Sequence, residues 1–77
     1  MHTLFINTDF IKLSQALKLA TNQSGAFAKL IIFDGQVKVN GVACTLRGKK
    51  IYNMDIIEIS DNVEGLQSRL FQVISKV

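Results

Sequence analysis

Apolar and polar positions along this 77-residue chain follow two different periods, and the change from one to the other divides it. At the start, "TLFI" (3–6) reads as a short strand and "DFI" as a second extended piece. In "LSQALKLAT" the spacing lengthens. Leu13, Ala16, Leu17 and Ala20 share one face of a helix and Lys18 points away, with Ser14 placed to cap the first turn. A second helix is predicted in "SGAFAKLIIF", where Ser24 is the cap and Phe27, Leu30 and Ile31 recur at helical spacing. Asp34-Gly35 ends it, because glycine accepts the left-handed conformation that follows a helix.

From Gln36 the period is two. "QVKV" is a strand, Asn40-Gly41 a tight hairpin turn, and "VACTL" the returning arm. "RGKK" reads as a basic loop, "KIY" as a brief extended piece and "DIIEI" as a strand. "RLFQVIS" near the end reads as a closing strand, about 69–75. The same segment also fits a helix from Val63 to Val77, with Leu66, Leu70, Ile74 and Val77 on one face. Strand, two helices, then several strands is the order of an α+β fold: two short helices packed on a small, mostly antiparallel sheet.

Length and composition narrow the picture. A chain of this size is expected to be one domain, 1–77, with a thin core. It is too apolar for disorder, at 48% hydrophobic and 19% charged residues. Cys44 is the sole cysteine, which excludes an internal disulfide and a cysteine-cluster zinc site; a small buried side chain is its expected role. The start "MHTLFIN" lacks the basic residues of a secretory signal, and the apolar run "AFAKLIIF" is interrupted by Lys29. A cytoplasmic protein without a membrane partner is expected.

Charge adds more. Net charge is +3, but residues 10–53 hold seven cations (Lys12, Lys18, Lys29, Lys38, Arg47, Lys49 and Lys50) against Asp34 alone, a local +6. Solubilising charge is usually spread more evenly, so an anionic partner is indicated. The densest cluster is Arg47-Gly48-Lys49-Lys50, where glycine lets another backbone approach closely. Lys38 lies on the strand face opposite Val37 and Val39, facing either plain water or that partner. Helix starts at Ser14 and Ser24 are expected to aim N–H groups outward, as phosphate oxygens prefer. Tyr52, beside Ile51, is expected in the core, although a tyrosine can also stack on a base. One histidine, no second thiol and no glycine-rich phosphate loop leave no catalytic set, and no cofactor or metal is called for.

Three segments in order resemble the S4 RNA-binding domain, also called the alpha-L motif, from about residue 10 to 59. "IKLSQAL" is similar to its opening, "SGAFAKLIIFDGQVKVNG" to its centre and "KKIYNMDIIEI" to its end. "ALKL", "LRGKKIY" and the closing "FQV" resemble small stand-alone bacterial members, which favours a last strand over a last helix. Larger members often carry arginines where this chain has Gly25 and Lys29. The usual glycine before the final aspartate is Met54, so Asn53 is expected to supply the positive φ of that turn.

The resemblance implies a non-catalytic protein that binds structured RNA, ribosomal RNA above all, through the helix pair, the hairpin and the basic loop. Its RNA-binding residues would be Lys12, Lys18, Ser24, Gly25, Lys29, Lys38, Arg47, Gly48, Lys49 and Lys50, and Asp55 would shape the turn into the last strand. The alternative is a protein-interaction adaptor or homodimer. Phe5, Phe10, Phe27, Phe33 and Phe71 are many aromatics for so small a chain, and an exposed aromatic patch would mark a protein partner.

Overall fold

In the computed structural model, which describes residues 1–77, the chain runs β1 (His2–Ile6), β2 (Phe10–Lys12), α1 (Leu13–Thr21), α2 (Gly25–Phe33), β3 (Val37–Val39), β4 (Val42–Ala43), β5 (Lys50–Tyr52), β6 (Ile56–Ile59) and β7 (Leu70–Ser75). Five strands form one sheet in the order β1-β7-β6-β3-β4, parallel between β1 and β7 and antiparallel elsewhere. A separate antiparallel ribbon pairs β2 with β5. The α+β reading and its two helices hold. The last segment is a strand: Phe71 and Val73 alternate into the core, and β7 lies between β1 and β6.

Local chemistry accounts for most boundaries. Ser24 caps α2, its Oγ accepting from the Phe27 N–H at 3.1 Å. Gly35, at φ 74, lets the chain turn back while its N–H donates to the Ile32 carbonyl and that of Gln36 to the Ile31 carbonyl. Asn40 and Gly41, at φ 52 and 84, close the two-residue turn between Val39 and Val42, which pair across the hairpin. The returning arm is shorter than the predicted "VACTL". After Ala43 the ladder ends, with Cys44 buried and its N–H on the Val37 carbonyl.

One contiguous core collects Leu13, Ala16 and Leu17 of α1, Ala28, Ile31 and Ile32 of α2, and the inward residues of the strands, Val37, Val39, Ile51, Ile57, Ile59, Phe71 and Val73 among them. At about 25 cal/mol per Å² of apolar surface, each large member contributes roughly 1.5–3 kcal/mol. No buried side-chain polar atom lacks a partner.

Four expectations are corrected. α1 begins at Leu13, not after a Ser14 cap; its N-cap is Lys12, whose side chain makes no capping bond. Leu30 is exposed, and the buried stripe of α2 is Ala28, Ile31 and Ile32, shifted by one position. Tyr52 lies on the surface, because β5 alternates and Ile51 takes the inward place. Met54 itself carries the positive φ, 76, that was assigned to Asn53.

Candidate functional site

The basic loop is built onto the start of α1. Arg47 and Gly48 occupy the centre of a turn closed by the Lys49 N–H on the Leu46 carbonyl, 3.1 Å. Two carbonyls of this loop then take the place of a capping side chain: the Leu13 N–H donates to Lys49 at 2.8 Å and the Ser14 N–H to Arg47 at 3.1 Å. Helix starts have unpaired N–H groups, and here the loop absorbs two of them. The expectation that the α1 start presents these groups to phosphate is therefore corrected.

This tie gathers the cations. Lys12, Ser14, Gln15, Arg47 and Gly48 line one concavity. Lys29 joins Arg47, Gly48 and Lys49 in a neighbouring cleft between α2 and the loop. Lys12 and Lys50 are direct partners across the β2–β5 ribbon, an arrangement of like charges that costs stability. The Lys50 Nζ rests 4.8 Å from the centre of the Phe10 ring, which packs in turn on Tyr52 at 5.9 Å. Lys18 lies in a third depression with Phe10, Gln15 and Leu19.

No aspartate or glutamate lines any of these three depressions. The chain has one ion pair, Arg69 with Asp61 at 3.8 Å, so none of the clustered cations is neutralised from within. Bringing them together raises electrostatic energy that only an external anion or counterions can relieve.

The two glycines of the predicted set have no structural need to be glycine. A Cβ at Gly25 or Gly48 would meet open space, and neither residue has a left-handed φ. At the start of α2 Ser24 is exposed and Gly25 half-buried, with the Ser24 hydroxyl accepting from the Phe27 N–H.

Lys38 is not brought into the cluster. Its cross-strand neighbour in β6 is Glu58, and it lines a surface depression with Glu58, Asp61 and Asn62. What faces Lys38 in "DGQVKVNG" is thus an acidic stretch of its own chain. The signal was available in the sequence only as the alternation of "DIIEI", which puts Glu58 on the outer face of its strand.

Sequence reasoning also missed an apolar component. Leu30, Phe33 and Leu46, at 59, 78 and 69% exposure, line the cleft that holds Lys29, Arg47 and Lys49. The excess of Leu30 and Phe33 over a helical stripe was visible in "LIIF", where four successive apolar positions cannot all turn inward.

The Asn40 and Asp55 assignments stand. Asp55 accepts from the Tyr52 N–H at 2.7 Å and the Asn40 Nδ2 at 3.0 Å, while the Asn40 Oδ1 accepts from the Ile56 N–H at 2.8 Å. This pins the hairpin turn to the entry of β6.

Two comparisons with known proteins bear on the arrangement. A family model described as "S4 domain" matches residues 4–65. The chain is also similar to a Bacillus subtilis (strain 168) protein described as "Probable ribosome maturation protein RlbA". The two are 42% identical over 71 residues, which cover 91% of this chain and 92% of the relative.

Proposed function

This chain belongs to the S4 domain family, and from that premise we propose that it is a non-catalytic, cytoplasmic RNA-binding protein that docks a basic face onto the phosphates of structured ribosomal RNA. The observation that carries this reading is the clustering of Lys12, Lys29, Arg47, Lys49 and Lys50 around the α1 start and the neighbouring cleft, with no carboxylate among them. Lysine and arginine neutralise phosphates and release condensed counterions, and folded RNA is read largely through its shape and backbone. Gly25 and Gly48 fit a surface that another backbone approaches closely. The relative's description as a ribosome maturation protein directs the choice of RNA to the ribosome. The face is the α1 start, α2 and the 45–50 segment, with Lys18 at its margin; Lys38 lies outside it.

An adaptor role has less support. The exposed rings occupy three settings: Phe5 beneath Lys76, Phe10 with Tyr52 and Lys50, and Phe33 in the cleft. None is a broad aromatic patch.

The test is binding to ribosomal RNA fragments across a salt series, with wild type beside Arg47→Ala/Lys49→Ala/Lys50→Ala. Three lost phosphate contacts should flatten the slope of log affinity against log salt by about two units and cut low-salt affinity on the order of a hundredfold. Equal affinity and slope for the two proteins would overturn the basic-face reading.

A further inference from the structure

The cleft between α2 and the 45–49 segment has a volume of about 850 Å³ and an unusual lining for an open surface. Leu30 and Phe33 of α2 and Leu46 of the loop stand mostly exposed in it beside Ile32, while Ile32 with Ala28 and Ile31 carries the same helix into the core. Lys29, Arg47 and Lys49 also line it, with no acidic residue. An occupant must therefore offer apolar surface to the interior and negative charge to those cations.

A second copy of the chain meets only half of that requirement. A twofold contact places the same patch on both sides, so these cations would face themselves. A nucleotide meets both halves: its base has a flat π-face for Phe33 and the leucines, and its phosphate sits where Arg47 and Lys49 can reach. The cleft also adjoins the phosphate-docking face, since Arg47 and Gly48 line both. A backbone held on that face would pass its entrance.

We propose that this cleft receives an unstacked base of the bound RNA, so that the protein recognises a bulge or loop beside a stem and not an uninterrupted stem. This rests on the RNA reading above and adds to it which part of the RNA is engaged.

The experiment compares two hairpins of ribosomal sequence, one fully paired and one with an unpaired fluorescent adenine analogue in a bulge. Wild type, Phe33→Ser/Leu46→Ser and Arg47→Ala/Lys49→Ala are titrated with each. Both apolar side chains are mostly exposed, so folding should survive their loss, which circular dichroism checks. The expected result is a wild-type preference of about tenfold for the bulged hairpin, with a change in analogue fluorescence on binding. The Phe33/Leu46 variant should lose the preference and the fluorescence change but keep the salt slope, whereas the Arg47/Lys49 variant should lose affinity for both hairpins. Equal wild-type affinity for the two hairpins, with no fluorescence change, overturns the base site and leaves phosphate docking intact. Loss of ribosome association in the Phe33/Leu46 variant with unchanged hairpin binding overturns it in favour of an acidic protein segment. No binding of either hairpin at low salt overturns both readings.

Discussion

Two tight turns, at 52–55 and 46–49, are closed in the same way, by a hydrogen bond of 3.1 Å from the fourth residue to the first, yet they treat their side chains oppositely. In the first, nearly every polar group is used. The Asn53 Oδ1 accepts from the Ser75 N–H, Asp55 holds Tyr52 and Asn40, and the Met54 N–H reaches the Val73 carbonyl at 2.7 Å. In the second, only the backbone is used: carbonyls of Arg47 and Lys49 hold α1, and their side chains have neither ion pair nor hydrogen bond. Residue choice is inverted as well. The turn that needs a left-handed residue has Met54, and the turn that has Gly48 needs no glycine. A turn built to hold the fold consumes its side chains. The 46–49 turn fixes its backbone and leaves its side chains free, as the proposed docking onto phosphates would require.

The contrast is most severely tested at Asp55. Asp55→Ala removes the acceptor for both Tyr52 and Asn40 and should cost about 2 kcal/mol. For a domain of this size that lowers Tm by about 10 °C. The RNA salt slope of the folded protein should not move, and a changed slope would place this turn in the interface.

Lys12→Glu should separate stability from binding. It replaces a like-charge cross-strand pair with an opposite-charge pair and puts an acidic residue at the start of α1. Stability should rise by about 0.5–1 kcal/mol, while RNA affinity falls about tenfold, roughly 1.4 kcal/mol. Thermal melts and titrations on one preparation read both, and a parallel loss would mean that Lys12 supports the fold.

Met54→Gly should relieve the left-handed strain and stabilise the protein by about 0.5–1 kcal/mol in denaturant titrations, with binding unaltered. The smallest effect is expected at Lys38, whose outward neighbours are acidic. Lys38→Ala should change RNA affinity less than about twofold at moderate salt, within the screening of a distant charge. A larger loss would extend the interface across β3 and β6.

Some of this was legible from residues alone because it depends on near neighbours. Alternation placed Val37 and Val39 on one inward face, Ser24 marked the start of α2, and Asp34-Gly35 and Asn40-Gly41 marked two reversals. Each follows from the geometry of one element or one turn, where side-chain period and allowed φ are set by covalent structure.

What only the tertiary structure decided concerns groups far apart in the chain. α1 starts at Leu13 because carbonyls more than thirty residues later take the place of a capping side chain. Met54 accepts a left-handed φ where its N–H meets Val73 in β7. β1 and β7 run parallel, a pairing that no local pattern encodes. Lys38 and Lys49 look alike in sequence, yet one lies beside Glu58 and the other in a cleft free of acids. Periodicity says which face of an element turns outward. Which outward faces come to adjoin is set by chain return and packing, and so by the fold as a whole.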